Sequence, residues 1–317
     1  MSGRKRLLTK CDIDGMACGI LLKERGLVEE VRFCQAWEID NGSMAIGDSD
    51  ITAGLPCRPQ AWLAFDHYQD AASVRTERII VDTTRRSTAR VIHDYFGASA
   101  FGAVPGELLR AVDRVVSAEV TLDDILYPSG WVLLSHLIDH RTGLERYRRF
   151  GMDTAALIGL LTDWCRQYTI WEVLSLPALE ERNACYFACA EAYKAQILRC
   201  ASVHRNLVVV DLRDEETIYP GNRFMIYALF PECNVSLQIT RTTAGVAFQA
   251  GKSFLDRSFA EDIGRLMRRY GGGGHANAGR CDMPEERADE VARGLTGALR
   301  YGSLKNLLLG YYNYYYP

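Results

Sequence analysis

Tyr270-Gly271-Gly272-Gly273-Gly274-His275-Ala276-Asn277-Ala278-Gly279-Arg280 is the stretch from which the rest of the chain is best read. Four successive glycines are poor material for a helix or strand interior, because each loses more backbone entropy on ordering than any other residue. They suit a place where backbone passes close to something, or where φ is positive. Just before them, Asp262–Arg269 reads as a short amphipathic helix. After them, His275 and Arg280 stand beside a row of small residues. Exposed backbone N–H groups with cationic side chains nearby form a concavity for an anion. A bare glycine run is more often a tight turn or a linker; His275, Ala278 and Gly279 make this pattern more specific.

Working outward, 317 residues favour two domains, each able to bury its own core. Hydrophobic content of 48% and charged content of 24% are those of an ordinary globular protein. A net charge of -3 leaves no global basic field for long nucleic acid, so a polyanion site must be a local cluster of Arg and Lys. No apolar run reaches the ~18 residues of a membrane span, and the N-terminus lacks a signal-peptide core. The ten cysteines show no metal-ligand spacing and read as free thiols, Cys185 and Cys189 falling in a helical stretch. These features point to the cytoplasm and away from membranes.

Near the N-terminus, Lys5–Lys10 reads as a strand that runs into Cys11-Asp12-Ile13-Asp14-Gly15 and then a helix ending near Gly26. Strand, acidic turn and helix is how open α/β sheets present ligands at the carboxyl ends of strands. Asp12 and Asp14 can face one crevice and hold a hard divalent cation; as helix caps they would need no other role. Val31–Ala36 and Asp50–Pro56 read as further strands. Ala61–Phe65 is a buried strand ending in Asp66-His67-Tyr68, a pair that serves either as structural hydrogen bonding or as a ligand with its orienting partner. Ile79–Asp82 is a strand, and Arg85-Arg86-Ser87-Thr88 opens a helix whose N-terminus suits an anion or ordinary capping. Leu108–Ala118 reads as a helix carrying Asp113, and Thr121–His140 leads to Asp139-His140-Arg141.

From Met152 to about Arg205 the pattern is helical, with Leu176–Val203 suited to a connecting helix. Beyond it, Leu207–Leu212 is a strand, Phe224–Phe230 is apolar, and Val235–Thr240 with Gly245–Gly251 reads as a hairpin around Thr243-Ala244. Arg241 and Lys252 end these strands, near the glycine-rich loop. Pro284–Leu299 is a last amphipathic helix. Five tyrosines follow between Gly310 and Pro317, either as a loose end or as a docking segment.

GGGGHANAGR resembles the Gly-Gly-Gly-His-x-x-Ala-x-Gly signature of the C-terminal substrate-binding domain of DHH-family phosphoesterases. Asp12, Asp14 and Gly15 match that family's opening His-x-Asp-x-Asp-Gly, with Lys10 in place of the histidine. Asp66-His67-Tyr68 stands where the family has its defining motif, with Tyr68 for the second histidine. The bridging aspartate of the family's second strand falls at Ala53 or Gly54. The resemblance, nearest to the exopolyphosphatase-like subgroup, implies an α/β fold of four segments. These are an open parallel-sheet metal domain over 1–150, a helical connector over 151–205, a smaller α/β domain with the Gly-rich loop over 206–300, and the aromatic tail 301–317.

It also implies site roles. Asp12, Asp14, His67 and either Asp139 or Asp113 would hold Mn or Mg, one ion rather than two, or none. Asp12, Asp66, His67, Lys10 and Tyr68 would do the chemistry. Gly271, Gly272, Gly273, Gly274, His275, Arg280, Arg241, Lys252, Arg141 and Arg86 would hold the phosphates. The expected reaction is hydrolysis of polyphosphate, a nucleotide or a short oligonucleotide by a chain able to act as a homodimer. The alternatives are a weakened relative that binds a phosphorylated ligand between its domains without cleaving it, and a scaffold working through the tail.

Overall fold

The computed structural model describes residues 5–68, 76–102 and 104–300, with the side chain of Trp37 left aside. The tyrosine-rich tail, and with it the scaffold reading, lies outside the described residues. The chain divides into two compact units, Met1–Ala188 and Cys189–Pro317.

The first unit is built on a five-stranded parallel sheet in the order β2-β1-β3-β4-β5. Its strands are β1 Lys5–Thr9, β2 Val28–Phe33, β3 Asp50–Ala53, β4 Leu63–Asp66 and β5 Ile79–Val81. The chain leaves β1 for β2 on one side and returns to β3 on the other. The carboxyl ends of β1 and β3 therefore flank the switch point where open α/β sheets form a ligand crevice. Leu7, Leu8, Ile51, Ala64 and Phe65 are fully buried in this sheet. Above it lies the helix Ile13–Glu24, buried at every position from Ile13 to Leu22. A helix apolar all round must be enclosed by neighbours; Lys23 reaches Asp163 at 2.8 Å, and Arg166 pairs with Glu24.

The second unit carries a six-stranded mixed sheet, β10-β11-β9-β8-β7-β6. Its strands are β6 Ala201–His204, β7 Leu207–Asp211, β8 Val235–Thr242, β9 Gly245–Lys252, β10 Gly273–His275 and β11 Ala278–Met283. β7 and β8 are parallel, and β8 and β9 form the expected hairpin. Val235, Leu237, Ile239, Val246 and Phe248 pack with Ile263, Met267, Val291, Leu295 and Leu299 into one core.

Several expected elements shift. The second strand begins three residues earlier than its apolar run, at Val28. The helical stretch before the second sheet is two helices, Pro177–Ala188 and Ala190–Cys200, and it gives way at Ala201 to β6. Phe224–Phe230 holds a short helix, Met225–Leu229. Gly273 and Gly274 are part of a strand: the glycine run makes the edge of a hairpin, with Gly273 opposite Arg280 and His275 opposite Ala278. Close approach outweighs glycine's poor strand propensity here, because Gly274 has φ +141° and a Cβ on it would lie 2.3 Å from the Ala278 carbonyl oxygen. All ten cysteines are free thiols. Among the described residues no helix is long and apolar enough to cross a membrane.

Candidate active site

Lys10 follows the last residue of β1, and Asp12 caps the helix Ile13–Glu24, its Oδ1 accepting the Gly15 N–H at 2.9 Å. One turn of chain thus brings Lys10, Asp12 and Asp14 to the switch point. At the end of β4, Asp66 Oδ1 accepts the backbone N–H of His67 at 2.7 Å and of Tyr68 at 3.3 Å, which turns the chain sharply. The His67 ring lies tilted by 35° against that of Tyr68, centre to centre at 4.2 Å, and Lys10 Nζ lies 4.5 Å from the centre of the Tyr68 ring. Burial by itself lowers the Lys10 pKa. Tyr68, Asp12, Asp66 and Asp14 outweigh burial and raise its pKa, so the group is a fixed ammonium among carboxylates.

Asp14 has a different partner from the one its sequence position implies. Its Oδ1 accepts the Ala89 N–H at 2.9 Å and its Oδ2 the Thr88 N–H at 3.1 Å. These are the first free amides of the helix Thr88–Phe96. The anion at this helix N-terminus is therefore the chain's own Asp14. Burial, and secondarily the charge of Asp12, push the Asp14 carboxyl from 3.8 up to about 6, against the pull of the two amides and Lys10.

A folded pKa above the unfolded one means the group favours the fold fully below its unfolded pKa and loses that contribution as pH rises through about 6. The cost above that pH is on the order of 3 kcal/mol. An NMR titration of the Asp14 carboxyl is expected to show a midpoint near 6; a midpoint at or below 4 would mean the amides win.

Thr88 also ties in His67, whose Nδ1 lies 2.8 Å from Thr88 Oγ1, leaving Nε2 on the other side of the ring. Sequence reasoning had marked Thr88 only as part of a capping or anion-binding turn. Its link to His67 has no signal in a Ser-Thr pair, since it depends on β4 and the helix start meeting in space.

The missing bridging aspartate was narrowed to Ala53 or Gly54. Ala53 ends β3, and its carbonyl accepts the Thr9 hydroxyl at 2.9 Å. Gly54, at φ +65°, is the position that faces the site: a Cβ there would lie 3.2 Å from Thr88 Oγ1 and 4.0 Å from Asp14 Oδ2. Asp50 sits at the other end of β3, bonded to Arg6 at 2.8 and 2.9 Å.

The two candidates for a final ligand are both occupied. Asp113 takes the Ser87 hydroxyl at 2.7 Å and two Arg90 bonds at 2.9 and 2.6 Å, between the helices Thr88–Phe96 and Gly106–Val116. Asp139 holds Arg141 through Nε at 2.8 Å and Nη2 at 2.5 Å. The Asp139–Arg141 pair does border the crevice. Asp12 and Tyr68 act electrostatically on Arg141, and Asp139 acts with Asp12 on Cys11, whose thiol is pushed up to about 12 mainly by burial. Arg86 is elsewhere engaged, with Glu119 at 2.8 Å.

A divalent centre of the DHH kind needs several free carboxylate and imidazole donors converging on one point. Among the described residues no three His, Cys, Asp or Glu side chains are so placed. Each Asp14 oxygen already accepts a helix amide, Asp113 and Asp139 are each gripped by an arginine, Gly54 offers no donor, and Lys10 brings a positive charge beside Tyr68. These residues do not fit such a centre.

In the second unit, the helix Ile263–Arg268 presses on the glycine hairpin: Ile263 N–H donates to the Ala276 carbonyl and Arg268 Nη1 to the Gly274 carbonyl, at 3.3 and 3.4 Å. Lys252 belongs to this end of the sheet, its N–H bonded to the Asn277 carbonyl at 2.9 Å. Gly271, Gly272, Gly273, Gly274 and His275 lie here too, and Arg280, opposite Gly273, is paired with Asp282 at 2.6 Å. Arg241 does not join them. It stands opposite Val246 at the far end of the β8–β9 hairpin and pairs with Glu285 at 3.1 Å.

No protein-family model matches the sequence, and no curated protein does either. Solved structures do. The structure of PggH, a pGpG-specific phosphodiesterase from Vibrio cholerae, is 38% identical over 94% of this chain and 100% of its own, with a TM-score of 0.80. An exopolyphosphatase-related protein from Bacteroides fragilis shares the fold at 13% identity, covering 95% of this chain and 93% of its own, with a TM-score of 0.55. RecJ from Thermus thermophilus, solved in complex with Mn2+, is 14% identical over 93% of this chain and 52% of its own, with a TM-score of 0.48. The chain belongs to the DHH family of phosphoesterases.

Proposed function

We propose that this protein hydrolyses the phosphodiester bond of a short linear nucleotide, with 5′-phosphorylated dinucleotides such as pGpG as the substrate class. The observation that carries the reading is Lys10 at the end of β1, its Nζ 4.5 Å from the Tyr68 ring, next to Asp12 and Asp14 at the switch point of the sheet. Full-length likeness to a pGpG-specific phosphodiesterase supports it. In this mechanism Lys10 and Arg141 take the negative charge that builds on the phosphoryl oxygens. A water oxygen adds to phosphorus, its proton passing to Asp12, and the bond to the leaving sugar oxygen breaks. That oxygen takes a proton from His67 Nε2, whose ring is oriented through Nδ1 by Thr88. The products are two mononucleotides. In the second unit, the hairpin Gly273–His275, with Lys252 and Arg280, offers amides and cations to a phosphate group.

Incubation of the full chain with pGpG, a five-nucleotide RNA and polyphosphate, followed by chromatography, tests this. Release of GMP from pGpG, faster than any product from the other two, is the expected result. Failure to cleave all three, with and without Mn2+, would sink it. The engaged ligand positions favour one second reading, a protein that captures the dinucleotide uncleaved; calorimetric binding of pGpG without turnover would then be seen.

A further inference from the structure

We propose that Lys10 is the resident cation of this site, and that the N-terminal unit holds no divalent ion. For its substrate the inference rests on the phosphodiesterase reading, but the metal content it asserts does not. Carboxylates gathered in a crevice of low dielectric need positive charge nearby, and in a metalloenzyme the ions provide it. Here every carboxylate expected to ligate already has a protein partner. Asp12 accepts the Gly15 N–H, and Asp66 accepts those of His67 and Tyr68. Asp14 is bonded by the Thr88 and Ala89 amides, Asp113 by Arg90 and Asp139 by Arg141.

Two residues remove what a metal would use. Gly54 faces Asp14 and Thr88 with no side chain, and its φ of +65° is one that aspartate tolerates better than most residues. Lys10 goes further: with its Nζ 4.5 Å from the Tyr68 ring centre, it puts a like charge beside any dication entering the crevice. A lysine covers only one unit of charge, and the site is matched to that. It has lost the donor at Gly54, and the amides of a helix start take up Asp14.

The test is metal analysis of the full chain after loading with Mn2+ and gel filtration, with pGpG turnover measured separately in chelator. The native chain is expected to retain substoichiometric metal and to keep its rate in EDTA. The double variant Lys10→His with Gly54→Asp, which removes the ammonium and supplies two donors, is expected to retain Mn2+. A native chain that carries one or more Mn2+ per molecule through the column would overturn the inference, as would turnover abolished by EDTA and restored by Mn2+. The native measurement decides even where the double variant does not fold. A native chain without metal that cleaves nothing supports the resident cation and counts against the phosphodiesterase reading alone.

Discussion

Lys10→Met is expected to lower the turnover of pGpG by about 10²–10³-fold, the range seen when one oriented transition-state donor is removed. Methionine keeps the length and apolar body of the stem, so packing against the Tyr68 ring survives while the charge does not. Two consequences follow. The phosphoryl oxygens lose an ammonium, and Asp12, Asp14 and Asp66 lose the positive charge that offsets their mutual repulsion. The Asp14 carboxyl, which Lys10 pulls down in the native chain, then rises further.

The same change alters stability with a defined sign. Asp14 in the native chain is already raised to about 6, so it costs stability above that pH; without Lys10 the cost grows and the window moves upward. The melting-temperature difference between variant and native chain should therefore be small near pH 5 and larger near about pH 8. Steady-state kinetics and melts at the two pH values check both effects. Turnover within a few-fold of native would remove Lys10 from the chemistry, and a pH-independent stability difference would remove it from the carboxylates.

Much of this architecture is written locally. A strand running into Asp12-Ile13-Asp14-Gly15, and a second ending in Asp66-His67-Tyr68, carry their meaning within a few residues, because strand ends in a parallel sheet converge on one edge. The β8–β9 hairpin is equally local, its two-residue turn set between apolar alternation. What sequence could not reach is partner choice across the fold. Asp14, Asp113 and Asp139 look alike as ligands; only the approach of the helix start at Thr88, of Arg90 and of Arg141 separates them.

Arg241 illustrates the same limit for strands. It lies at the end of an apolar run, as Lys252 does, but the antiparallel register sends the two to opposite ends of β11, one opposite Val246 and the other opposite Val235. The glycine run fails differently. Propensity argues against a strand, and the close approach that requires glycine at 274 is to Ala278, across the hairpin.

Gly264→Ala is expected to destabilise the second unit by about 3 kcal/mol, the upper end of ordinary overpacking. It should also raise the KM for pGpG, because the hairpin proposed to bind phosphate would be displaced. A Cβ at Gly264 would lie 2.4 Å from the Gly274 carbonyl oxygen, 2.5 Å from its carbon and 2.8 Å from the His275 nitrogen. All three are backbone atoms, so no rotamer relieves the clash. Either the helix Ile263–Arg268 lifts from the core that Ile263 and Met267 fill, or the hairpin Gly273–His275 moves.

Both movements break the Ile263–Ala276 and Arg268–Gly274 bonds that fix the loop. The helix has the larger apolar commitment, so the hairpin should give way first. That is why binding is expected to suffer as well as stability. Gly297→Ala is the matched control: nothing lies within 4 Å of its added methyl, and in a helical segment alanine should add roughly 0.5–1 kcal/mol. Denaturant melts and KM for the pair separate the cases. If the two variants melt alike and bind pGpG alike, helix and hairpin are not in contact in solution, and the glycine run loses the reason proposed for it.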